Sequence, residues 1–113
     1  MLSVETLKEC GVNTEEGLGR CLNNEAFYLR LVGMALDDGG FEKLPAALAA
    51  GDLHAGFEAA HALKRVLGNL ALTPIYTPVS ELTELLRRET AGDYQAYLTE
   101  ILAQRDKLKA LSE

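Results

Sequence analysis

From Leu53 to Leu70 apolar residues recur at helical spacing without a break: Leu53, Phe57, Ala60, Leu63, Leu67 and Leu70. Successive residues on an ideal α-helix turn by about 100°, which gathers these six on one side, facing a core. His61 lies roughly 110° from the centre of that stripe and points outward. His54, Glu58, Arg65 and Gly68 share its side, and Lys64 sits on the flank. A helix patterned in this way buries its stripe only against other helices, so it constrains the rest of the chain.

The flanking sequence supplies those partners. Ser3 is placed to cap a short helix over about residues 3–10, with Gly11 just past its end. Thr14 offers an N-cap for a second short helix to Leu22, with Glu15 and Glu16 favourable in its first turn. Asn24 caps a longer helix to about Asp37, whose stripe reads Phe27, Leu31, Met34 and Ala35, with Tyr28 and Val32 at its edge. Asp38-Gly39-Gly40 breaks it. The next helix covers Phe41 to Ala50 and ends at Gly51, with Pro45 tolerated because it falls near the first turn. Asp52 caps the helix of His61, which runs to about Leu72. A further helix starts at Thr73-Pro74, or at Thr77 with Pro78 in the first helical position, and stops near Gly92. Asp93 caps the last helix, with Tyr94, Tyr97, Leu98, Ile101, Leu102, Leu108 and Leu111 on its apolar face.

Segments of this length joined by short turns predict an all-α fold, an antiparallel four-helix bundle with additional short N-terminal helices. Residues 24–113 form the bundle and residues 1–23 pack across it, making one structural domain. Apolar residues make up 48% of the 113, enough for a real core. Few are β-branched, which favours helix over sheet.

The net charge of −6 leaves no broad basic surface, which argues against general nucleic-acid binding. No apolar run reaches the ~18 residues of a membrane span, and the N-terminus lacks the pattern of a signal peptide. The expectation is a cytoplasmic protein that engages neither nucleic acid nor membrane. Cys10 and Cys21 fit no zinc or redox spacing and are expected as reduced thiols. Asp37-Asp38-Gly39-Gly40 lacks the alternating oxygen ligands of a calcium loop. His54 and His61 stand about 10 Å apart along one helix, too far to share a metal ion. No metal site is expected.

The run Ala60-His61-Ala62-Leu63-Lys64, followed by Gly68-Asn69-Leu70, resembles the histidine-containing phosphotransfer (HPt) domain. That family's motif reads roughly Ala-His-x-Leu-Lys-Gly, then small residues, often Gly-Asn-aliphatic-Gly. Leu72-Thr73-Pro74 and Ser80 to Leu86 also resemble stand-alone members, and the likeness in length and helix pattern extends over about residues 24–112. Arg65 stands where the family usually has Gly, Ala71 replaces a second common Gly, and Leu67 is larger than the usual small residue.

The resemblance implies a phosphoryl carrier that relays groups between receiver-domain aspartates and His61 in a two-component phosphorelay. An imidazole titrates near neutrality, so its lone pair is present at physiological pH and can attack phosphorus to give a phosphoramidate. Such transfer needs mainly positioning and charge compensation. His61 is the phosphoryl acceptor, Lys64 the electrostatic helper, and Arg65, Gly68 and Glu58 belong to the receiver docking surface. The partners implied are response-regulator receiver domains and a hybrid sensor kinase. No cofactor is expected on this chain, and Mg²⁺ belongs to the partner receiver. Nothing in the chain resembles an ATP-binding motif, so kinase activity of its own is not expected. At Arg65 two readings stay open: the guanidinium obstructs the receiver, or it pairs with phosphoryl oxygens. Obstruction would make the chain a non-catalytic pseudo-HPt module that binds a receiver or kinase without accepting phosphate. A helical adaptor unrelated to phosphorelay is the remaining alternative.

Overall fold

A computed structural model describes residues 2–89 and 93–112, and all the regular structure in them is helical. Seven helices follow in order: α1 (Val4–Glu9), α2 (Thr14–Arg20), α3 (Glu25–Leu36), α4 (Gly40–Ala49), α5 (Leu53–Asn69), α6 (Thr73–Arg87) and α7 (Tyr94–Ala110). None is long and apolar enough to cross a membrane.

Local sequence chemistry sets most of the helix starts. Ser3 and Thr6 form a reciprocal capping box: the Thr6 N–H donates to Ser3 Oγ and the Ser3 N–H to Thr6 Oγ1. Asn24, Asp52 and Asp93 accept from the N–H groups of Phe27, Ala55 and Ala96 at 3.0, 3.0 and 3.1 Å, satisfying donors a helix start leaves open. The cap of α2 is Asn13 rather than Thr14, which is the first helical residue and is buried. Pro45 lies inside α4, which begins one residue earlier than expected, at Gly40. Lacking an N–H, it withholds the i+4 bond from the Phe41 carbonyl. α6 begins at Thr73, so Pro78 is an interior residue, and it is buried. The expected stop at Gly92 lies outside the described residues; α6 ends at Arg87.

Helix ends use left-handed residues. Gly11 (φ 92°) and Gly51 (φ 73°) end α1 and α4 as the sequence suggested. α5 ends the same way on Ala71, at φ 55°. There the Leu72 N–H donates to the Leu67 carbonyl at 3.0 Å and the Ala71 N–H to that of Gly68 at 3.1 Å, the double bond of a Schellman motif.

The core gathers Leu63 and Leu67 of α5, Ile75, Val79 and Leu82 of α6, Leu44 of α4 and Ile101 and Leu108 of α7. α5 packs most extensively against α6 and α4, α6 packs on α7, and α3 and α4 each touch α7. Gly56 allows the α4–α5 approach, since a Cβ there would lie 2.8 Å from Leu48 Cδ2. At the far end, Lys109 Nζ pairs with Asp37 at 2.8 Å and the Arg105 guanidinium lies over the Phe41 ring.

The stripe of α3 differs from the sequence reading. Tyr28, Val32, Ala35 and Leu36 are buried, whereas Phe27 is 46% exposed and Met34 61%. The helix is turned by one residue, and Tyr28 explains why: its hydroxyl donates to the Leu70 carbonyl at 2.9 Å inside the core. A buried carbonyl with a partner is worth more than an additional thioether contact.

α2 is fastened at the same place. The Asn13 N–H donates to the Ala71 carbonyl at 3.2 Å. A Cβ on Gly17 would stand 2.5 Å from Tyr28 Cε1 and 2.7 Å from the Leu70 carbonyl oxygen. Only a glycine permits that approach.

Candidate functional site

His61 lies in the third turn of α5, half-buried, with Phe57 one turn before it. The two rings stack, centroids 5.6 Å apart and planes inclined by 15°. The Arg87 guanidinium of α6 covers the Phe57 ring at 5.1 Å and its Nε also bonds Glu84 at 3.1 Å. His61 Nδ1 is buried and has no hydrogen-bond partner. The ring is only partly enclosed, and His61 lines the depression beside it.

A depression of about 550 Å³ opens beside His61. α5 contributes His61, Lys64, Arg65, Gly68 and Asn69 to it, α6 contributes Thr73, Tyr76 and Thr77, and α2 contributes Glu16 and Arg20. Lys64 is half-buried and Arg65 exposed, and among the described residues neither has an ion-pair partner. Three cations thus face one carboxylate in a chain of net charge −6. Such a wall attracts anions.

The structure brings His61, Lys64, Arg65 and Gly68 to one depression and leaves Glu58 outside it. Glu58 pairs instead with His54, Oε1 to Nε2 at 3.0 Å, on an exposed part of α5. Gly68 has a specific neighbour: a Cβ there would lie 3.1 Å from Tyr76 Cε2. The group packed closely on this glycine is therefore Tyr76, on the adjacent helix. Among the described residues no three His, Cys, Asp or Glu side chains converge as a metal site would need. Cys10 is half-buried and Cys21 buried, both as free thiols.

Sequence reasoning missed Glu16, Arg20, Tyr76 and the stacking of Phe57. The spacing of Glu16 and Arg20 marks them as an i,i+4 pair, but only the packing of α2 directs that pair at α5. Next to the depression, sharing Asn69 with it, lies a shallower apolar hollow formed by Leu31, Met34, Ala35, Val66 and Leu70. The turned register of α3 makes this hollow.

Comparison of the chain with protein-family profiles, with curated proteins and with solved structures gave no match. The likeness to the HPt family therefore rests on the residues around His61.

Proposed function

We propose that this chain is a histidine phosphotransfer protein, carrying phosphoryl groups on His61 between receiver-domain aspartates. The observation that supports it best is the coincidence of the His61 imidazole with three cations in one depression of an acidic chain. In the step proposed, the Nε2 lone pair forms an N–P bond as the P–O bond to the donor aspartate breaks. The carboxylate leaves as an anion and the ring keeps its Nδ1 proton. Lys64 and Arg65 balance the charge spread over the phosphoryl oxygens, and Arg65, exposed and without an ion pair, is available for a forked contact. Mg²⁺ would come with the receiver.

The bundle belongs to the same proposal. Turns of three residues join α4 to α5 and α5 to α6, which would set each pair antiparallel in a bundle formed by residues 24–113, with α1 and α2 laid against it. The receiver would dock over the depression and the apolar hollow beside it, seated on Leu31 and Met34. Cytoplasmic location follows from this role.

The test is transfer from phosphorylated receiver domains. An acid-labile, base-stable phosphoryl group on the wild type, absent in His61→Ala, is expected. Labelling confined to Arg65→Gly would make the chain a closed carrier, a pseudo-HPt module. No label on either, from receivers competent toward another HPt protein, would overturn the reading.

A further inference from the structure

Arg20 does not belong to the helix that carries His61, yet it lines the same depression. Its position is built rather than incidental. Three residues earlier, Gly17 presses α2 against Tyr28 and the Leu70 carbonyl at the end of α5, and the Asn13 N–H holds the start of α2 to Ala71. α2 therefore cannot move away from α5 without breaking buried contacts. Its side chain is held by Glu16: Nη2 to Oε1 is 3.0 Å, with both groups about half exposed. An exposed i,i+4 pair is among the weakest of ion pairs. A phosphoryl dianion presents more charge and more acceptor oxygens than one carboxylate, and a guanidinium matches them in a fork.

We propose that Arg20 is a ligand of the phosphoryl group carried on His61, released by Glu16 when that group arrives. This rests on the reading of His61 as the carrier. Residues 1–23 then contribute a binding group to the site as well as packing. Glu16 acts as a placeholder, keeping the guanidinium oriented toward the depression while His61 is free. Once the group is present, Arg20 lowers the affinity of the phosphoryl oxygens for a proton, as any close cation does.

The test needs no partner protein. In a His54→Gln background, which leaves one histidine, phosphoramidate labels His61 chemically: the N–P bond forms and ammonia leaves. The proton titration of the phosphorylated His61, ring Nδ1 and phosphoryl oxygens together, is then followed by phosphorus NMR at pH values where the N–P bond survives, with circular dichroism confirming that each variant is folded. Arg20→Ala is expected to raise the midpoint by several tenths of a pH unit, Arg20→Lys to restore part of the shift, and Glu16→Gln to lower the midpoint. Midpoints that coincide with the parent in Arg20→Ala and Glu16→Gln would overturn the proposal. Receiver transfer is scored separately. An Arg20 effect without it would sink the relay and keep the anion site, and transfer without an Arg20 effect would do the reverse.

Discussion

The ring of Phe57 lies nearly parallel to that of His61, centroids 5.6 Å apart, and the Arg87 guanidinium also lies over the Phe57 ring. The imidazole is thus backed by an aromatic plane that restricts its rotation, with Nδ1 enclosed. Phe57→Ala removes that backing. Stacking and burial together put its cost at about 1–3 kcal/mol, and acceptance of a phosphoryl group by His61 is expected to slow several-fold. Phe57→Tyr keeps the plane and should retain most of the rate. A rate in Phe57→Ala equal to wild type would show that the stack does not position the ring.

Ala71 holds a left-handed conformation (φ 55°) at the end of α5, where a Cβ is disfavoured by roughly 1 kcal/mol. Ala71→Gly relieves that strain but loosens the unfolded chain and removes a buried methyl. The expected balance is a gain of about 0.5 kcal/mol, read as a higher urea midpoint at unchanged slope. A lower midpoint would mean that methyl burial outweighs backbone strain.

Gly68 and Tyr76 are expected to be coupled. Alanine in place of an interior helix glycine gains about 1 kcal/mol of helix propensity, but here the new Cβ would stand 3.1 Å from Tyr76 Cε2. Gly68→Ala alone should therefore change stability little. In a Tyr76→Ala background the same substitution should stabilise by about 0.5–1 kcal/mol. A double-mutant cycle reads the difference directly, and additivity would remove the steric account of Gly68.

Burial pushes the Tyr28 phenol up to about 12, with neighbouring Cys21 adding to the shift. An unfolded tyrosine releases its proton near pH 10, so in that range the unfolded state gains by ionising and the folded state does not. Stability contributed by Tyr28 is complete below pH 10 and falls as pH rises toward about 12. Tyr28→Phe should flatten this alkaline decline. At neutral pH it should cost about 1–2 kcal/mol through the unpaired Leu70 carbonyl. Chemical denaturation at neutral and alkaline pH separates the two effects.

The sequence carried the helices and most of their caps, because Ser3, Asn24, Asp52 and Asp93 act through bonds to residues three positions away. The pitch of α5 set His61 apart from the buried stripe, but not its half-burial or the enclosure of Nδ1, which come from packing with Phe57 and the neighbouring elements. The sequence did not carry the register of α3. Phe27-Leu31-Met34 and Tyr28-Val32-Ala35 are both helical stripes, and the choice is made by a bond from Tyr28 to a carbonyl 42 residues away. Thr14 was preferred to Asn13 because both residue types cap helices, and the burial of Thr14 that separates them is a tertiary effect. Pro45 and Pro78 sit inside helices because packing of the apolar faces outweighs one missing hydrogen bond at each. Arg20 was invisible for the same kind of reason: nothing local to α2 points to α5.

The carbonyls of Leu70 and Ala71 receive Tyr28 and Asn13, two donors from a part of the chain that precedes α5 by twenty-five residues or more. The end of a helix is ordinarily its loosest turn, free to fray into water. Here it is a knot in which an early segment is tied into the middle of the chain. A chain shortened to begin after α2 would keep His61 and lose half of that knot, so the N-terminal residues are not a detachable ornament.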